Sequence, residues 1–228
     1  DRIPMRPSNL VLSVIGCLLI WLGWIGFNGG STLAWNDKVG GILLVTTLGG
    51  AAGCLGGLVL SAVTQRTSRV GDLINGVIGG LVAVTAGADM LSSLPATLVG
   101  ASAGMISVAG KNALDRLGVD DPVGAIPAHL FCGIWGTLAL VFLAPESALP
   151  TGNRMTQLVV QLVGIVSVGA FCFIAGVTML LVLNRLSPIR VSAKAEEVGL
   201  NISEHDASTA TNDLLVAMEW QRRTGNFG

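Results

Sequence analysis

Charge is scarce in this 228-residue chain: Lys, Arg, Asp and Glu make up only 12 % of it, and tyrosine is missing altogether. Soluble globular domains carry roughly 25 % charged residues, so a chain that is also 51 % apolar is not an ordinary soluble domain. Thirteen basic against fourteen acidic residues leave a net charge of −1, and no basic balance points to nucleic acid. Cys17, Cys54, Cys132 and Cys172 all fall inside apolar runs without metal-ligand spacing, and they read as inert core residues. Nothing offers a nucleophile beside a base, a metal cluster or a phosphate loop, so no enzyme activity, catalytic residue, cofactor or metal is expected.

Uncharged apolar runs occur at 8–28, 39–63, 73–88, 94–110, 123–144 and 156–184. A bilayer is crossed by about 20 residues of helix, so these runs predict an all-α membrane protein with six transmembrane helices over 1–184. The third and fourth runs are short, which leaves a re-entrant helical pair as the other reading, although Asp72 and Pro95 each look like the start of a separate helix. Eleven of the twenty-seven charges lie in 185–228, which reads as an aqueous tail. If the spans alternate, eleven cations (Arg2, Arg6, Arg66, Arg69, Lys111, Arg116 and five in the tail) lie on one side and only Lys38 and Arg154 on the other. By the positive-inside rule, both ends of this segment are cytoplasmic in a multi-pass protein of the cell or inner membrane. The chain opens on Asp1, and the run after Pro7 is too long and wrongly flanked for a signal peptide, so the start reads as internal to a longer protein. Thirty-one glycines, some at i, i+4 spacing (Gly49, Gly53, Gly57; Gly100, Gly104), suit close helix packing in lipid.

Few side chains in these runs carry chemistry. Cysteine thiols apart, His129 is the one ionisable group well inside a span. Such a group is expensive unless it faces a cavity or a partner, so it reads either as a proton relay or pore lining, or as a packed histidine bonded to a nearby carbonyl. Trp21, Trp24, Phe27 and Trp35 cluster where the first span reaches the outer face, beside Asn28 and Ser31. They form either an interfacial aromatic belt or a vestibule whose ring faces attract a small cation. Asp120, Asp121 and Pro122 make a strong helix start for the fifth span. Asp89, after the third span, reads as a solvated helix end that could also draw cations to the outer side.

Three stretches then point to a family. GWIGFNGGS at 23–31, VDDPVGAIPAHLFCGIWGTLA at 119–139 and GLNISEHD at 199–206 together resemble the ammonium transporter (Amt/Mep/Rh) family, over about residues 5–206. The resemblance implies an eleven-helix inverted-repeat fold of which this chain is the second five-span repeat plus the last helix and tail, the N-terminal half being missing. It also implies a homotrimer with one pore per subunit, ammonium or ammonia as the transported species and the lipid bilayer as surroundings. By matching position, Phe27 corresponds to an outer-gate phenylalanine, Ser31 to a serine of the outer ammonium-recruitment site, Trp24 to a pore-lining tryptophan and His129 to the second of two paired pore histidines. Pro127 departs from the family's pattern and unsettles the helix geometry just before His129, and the tail motif ends in His205 and Asp206 rather than the commoner His-Gly-Glu.

The function implied is an ammonium channel or transporter with a histidine-lined pore. The alternative is an ammonium sensor on the same fold, with 185–228 continuing, as a longer tail or a linker, towards a cytoplasmic signalling domain or partner. A third class, a structural subunit with a decayed pore, predicts no response to ammonium. The predicted topology is checked by impermeant thiol labelling of single introduced cysteines: positions in loops 29–38 and 145–155 react from outside and positions in 64–72 do not, whereas outside labelling of 64–72 overturns the orientation.

Overall fold

The computed structural model describes residues 9–65, 69–198 and 200–205, with positions 218 and 222. Among the described residues every regular element is helical. In chain order these are α1 (Leu10–Gly30), α2 (Lys38–Gln65), α3 (Val70–Thr85), α4 (Ser93–Leu117), a π-helical turn (Ile126–Phe131) that runs into α5 (Cys132–Leu143), a 3-10 turn (Glu146–Ala148), α6 (Arg154–Leu186), and the tail helices α7 (Ala193–Val198) and α8 (Leu200–His205). Most of the tail beyond residue 205, and the cations Arg2, Arg6, Arg66 and Arg223, lie outside the described residues.

α1, α2, α4, α5 with its π-helical lead-in, and α6 are each long and apolar enough to cross a membrane. α3 has 16 residues, about 24 Å at a rise of 1.5 Å per residue, against a hydrocarbon core of about 30 Å. It is also the most enclosed helix: Leu81, Ala83 and Val84 are at most 1 % exposed. The described residues form two compact units, one within 12–166 and, separately, one made of those within 1–11 and 167–228.

Within residues 12–166 the core is built on glycine. A Cβ added at Gly100 in α4 or at Gly80 in α3 would fall on the carbonyl oxygen of Gly49, and one added at Gly104 or Gly76 would fall on that of Gly53. Two successive turns of α2 therefore lie backbone to backbone against α3 on one side and α4 on the other. The i, i+4 ladders of α2 and α4 face each other, and α3 adds a third ladder at Gly76 and Gly80. Transfer from lipid gains no hydrophobic energy, so close packing of this kind is what holds such helices together. Around the seam, Ile42, Val45, Val84, Val99, Cys132 and Leu140 form the apolar core, and Cys17, Trp21 and Trp24 of α1 pack against Val77 and Leu81 of α3.

Polar groups fix the ends. α4 stops at Gly118, whose φ of 75° suits a residue without Cβ, with Val119 N–H donating to Leu114 O at 3.0 Å. Asp121 accepts from the amides of Ala125 and Ile126, each at 2.9 Å, and so caps the fifth span as its position suggests; Asp120 plays no such part. Gly124 has a φ of 72°, and a Cβ there would collide with the Asn75 carboxamide. Arg154, at the start of α6, donates to the carbonyls of Val141 and, at 3.0 Å, Ala144, which places a positive charge on the C-terminal end of α5.

In the unit of residues 1–11 and 167–228, α6 ends before Pro188, and Ser192 caps α7 by accepting from Ala195 N–H at 3.2 Å. Arg190 donates to Glu196 at 2.6 Å, and this bond holds the Glu196 carboxyl below its ordinary range. The pair thus persists at neutral pH and is lost as pH falls through that lowered value.

The glycine seam carries a prediction. Gly104→Val forces α4 away from α2, at about 1–3 kcal/mol or more for an overpacked contact between backbones, whereas a Cβ at Gly71 meets nothing within 4 Å. Thermal melting of the whole protein in detergent then shows a lowered midpoint for Gly104→Val and an unchanged or slightly raised one for Gly71→Ala.

Candidate functional site

The last two turns of α1 and the residue that follows them bring Trp24, Phe27, Asn28 and Ser31 together, because the spacing of three and four residues stacks them along one side of a helix. Ser31 closes the helix: its hydroxyl donates to Phe27 O at 2.7 Å, and its amide to the same oxygen at 3.2 Å. With the hydroxyl proton used in this way, Ser31 Oγ faces outward with lone pairs only. Trp24 and Phe27 meet edge to face, with centroids 6.4 Å apart and rings at 75°, and Trp24 Nε1 donates to Thr85 Oγ1 at 2.7 Å. Phe27 is 62 % exposed.

Beside this turn lies a cavity of about 850 Å³, open on one side, between the end of α1, the start of α2 and the end of α3. Phe27, Asn28, Ser31, Asp37, Thr85 and Asp89 are among its lining residues, as is Lys38. Asp89, read from sequence mainly as a solvated helix end, is exposed and also faces this cavity. Asn28 is 5 % exposed and donates through Nδ2 to Thr46 Oγ1 at 3.0 Å and to Thr85 Oγ1 at 3.4 Å. Sequence reasoning picked out Phe27, Asn28 and Ser31 here but missed Thr46 and Thr85. Each threonine interrupts an apolar helix on its buried side, the one signal by which they could have been found.

His129 is placed elsewhere. It sits on the π-helical turn, where Pro127 cannot donate and the amide of Cys132 reaches back to both His129 O and Pro127 O. The turn is held against α4 by a glycine: a Cβ at Gly110 would stand 2.6 Å from the Phe131 ring and 2.8 Å from Pro127. Cys132 Sγ approaches Ala103 O at 3.2 Å, and Trp135 Nε1 donates to Ser102 Oγ at 2.9 Å. Pro127 and Ala128 are buried on that side, so His129 and Leu130 project from the other and are exposed. The imidazole hydrogen-bonds to none of the described residues. The irregularity expected from Pro127 takes the form of a wide turn at the histidine, with which the fifth span opens; π-helical turns gather at functional sites.

The structure thus brings Phe27 and Ser31 to one cavity, places Trp24 against Phe27 and bonds it to the network behind that cavity, and sets His129 apart from its lining. Among the described residues there is no group of three or more His, Cys, Asp or Glu side chains arranged to hold a metal ion.

The profile of the Ammonium Transporter Family matches residues 1–210. A protein of Synechocystis sp. with an ammonium-transporter name is 39 % identical over 222 residues, which cover 96 % of this chain and 41 % of that protein. Ammonium transporter Amt2 of Archaeoglobus fulgidus is 36 % identical over 223 residues, 92 % of this chain and 48 % of its own length. Among solved structures, one titled Sensor Amt Protein superposes with a TM-score of 0.81 at 32 % identity, over 86 % of this chain and 49 % of that one. The chain spans less than half the length of these curated relatives. With a family profile matched along nearly its whole length and an all-helical membrane fold shared with a solved relative, the chain belongs to the ammonium transporter family.

Proposed function

We propose that this chain forms the outer mouth and one wall of an ammonium-conducting pore, completed by an N-terminal half of similar length, in a protein that assembles as a homotrimer. The observation that carries the reading is the chemistry of the cavity. Its oxygen atoms at Ser31 accept and do not donate, carboxylates stand at Asp37 and Asp89, and the face of the Phe27 ring is open. Such a lining attracts a small cation with N–H groups and supplies aromatic faces, worth about 0.5–2 kcal/mol each, in place of part of its water. Phe27 is the outer gate, Ser31 a recruiting acceptor and Trp24 the next residue along the path.

Beyond the mouth the path is apolar and crosses the membrane past His129. On this reading the exposed imidazole faces the other half of the fold, where a second histidine completes the pair. Two imidazoles give ammonia a polar contact and a proton a separate route, without the oxygen shell that K+ needs. The histidines relay or stabilise; no bond other than N–H is made or broken, and the protein is a transporter rather than an enzyme. Both ends of the segment are cytoplasmic.

One observation favours a second reading, an ammonium sensor coupled through the tail: the likeness to the structure titled Sensor Amt Protein. A sensor binds ammonium in the same cavity and changes the tail without carrying net flux.

Mutants of the whole protein in proteoliposomes test the assignments. His129→Ala abolishes or greatly slows ammonium-driven current while the trimer persists, and an acidic replacement conducts with less discrimination against K+; wild-type flux and selectivity in His129→Ala remove the histidine from the mechanism. Ser31→Ala raises the half-saturating ammonium concentration about fivefold, the loss of about 1 kcal/mol expected for one hydrogen bond, and Phe27→Ala alters gating or selectivity. Unchanged concentration dependence in both returns the cluster to an interfacial aromatic belt.

A further inference from the structure

Asn28 is an amide in an apolar helix, 95 % buried, and which of its two ends faces the cavity decides what it can recognise. The threonines settle that question through proton counting. Thr46 Oγ1 donates its single proton to Ile42 O at 2.7 Å, and Thr85 Oγ1 donates its own to Leu81 O at 2.7 Å. Each hydroxyl therefore turns only lone pairs towards α1. Thr85 Oγ1 is used in this sense a second time, because it accepts from Trp24 Nε1, which is a donor and nothing else. An amide oxygen placed against Thr46 and Thr85 would meet acceptors with no proton between them. The NH2 group alone fits there, as observed at 3.0 and 3.4 Å. Asn28 Oδ1 is thereby turned away from the threonines; it accepts no hydrogen bond from the described residues, and Asn28 lines the cavity.

We propose that Thr46 and Thr85 are positioning residues that lock the Asn28 carboxamide with Oδ1 towards the cavity, where it accepts one N–H of the entering ion. The inference rests on the ammonium reading above and deepens it, since it names what selects a donor-bearing ion at the mouth. Ammonium and K+ are alike in size and charge, so a site that separates them uses hydrogen-bond direction. A single carbonyl oxygen held rigidly beside the Trp24 and Phe27 rings satisfies one N–H along its lone-pair direction. It supplies only one ligand of the many that K+ demands. A freely rotating carboxamide would present its NH2 group to the cavity part of the time and repel either cation.

The test uses the whole protein in proteoliposomes, with ammonium-driven current measured alone and against K+. Thr46→Val and Thr85→Val keep the side-chain shape and remove the acceptor, whereas Thr46→Ser keeps both the donor to Ile42 O and the acceptor to Asn28. Each valine variant is expected to raise the half-saturating ammonium concentration about fivefold, the loss typical of one hydrogen bond, and to increase inhibition by K+, while Thr46→Ser matches wild type. Either valine variant that melts and assembles like wild type suffices. The decisive arm is the double variant: in an Asn28→Leu background, Thr46→Val has no further effect on half-saturation or on K+ inhibition, because Thr46 acts through the amide, whereas Thr85 also holds Trp24 and is left out of this arm. Equal shifts with and without Asn28 show packing alone and overturn the proposal, as does wild-type behaviour of a folded valine variant. Absence of any ammonium dependence in the wild-type protein overturns the transport reading itself, a result distinct from either of these.

Discussion

Backbone contact at Gly49 and Gly53 is the constraint on which the rest of the structure depends. Their two carbonyl oxygens are each approached by one glycine of α3 and one of α4, Gly80 and Gly100 at the first level, Gly76 and Gly104 at the second. Side chains at any of these positions would hold the helices apart. Because lipid gives little reward for burying leucine, the helices are held by contact area and polar bonds, and contact area on this scale requires the absence of Cβ. The most apolar stretch of α2 is half buried, whereas that of α1 is almost wholly exposed.

The seam sets where the polar groups stand. With α3 drawn against α2, Thr46 and Thr85 both come within reach of Asn28 Nδ2, 18 and 57 residues away in sequence. Each hydroxyl returns its proton to its own helix, four residues back. Trp24 and Asn28 then find acceptors within the helix bundle. Ser31, Asn28 and the carboxylates of Asp37 and Asp89 line the cavity, with Lys38 beside them. A surface with acceptors in excess suits a partner made entirely of donors, and ammonium is the smallest such cation.

Much of this was legible in the sequence, for identifiable reasons. Apolar runs without charge are long-lived signals, and the helices Lys38–Gln65 and Arg154–Leu186 lie over the runs at 39–63 and 156–184. The ladders of α2 and α4 were visible as i, i+4 glycines, but that of α3 was not singled out in a segment too short to look like a firm span. Phe27, Ser31 and His129 stand out as candidates by their chemistry inside apolar runs and by their match to family motifs, and Asp121 by the chemistry of helix starts. The roles of Thr46 and Thr85 were hidden because a threonine in an apolar helix looks like filler until its partner on another helix is known. Pro127 signalled an irregularity, yet the wide turn also needs the space left by Gly110 on α4, a long-range condition that local pattern does not express.

The account stands on the claim that this fold passes ammonium through a pore of which the chain forms one wall. Its most direct test is current on solid-supported membranes carrying the full-length wild-type protein, after a step in ammonium concentration and again after an equal step in K+. The account predicts a saturable current with ammonium, absent from protein-free membranes, and none with K+. Ammonium binding without sustained current, or equal currents for the two ions, contradicts it.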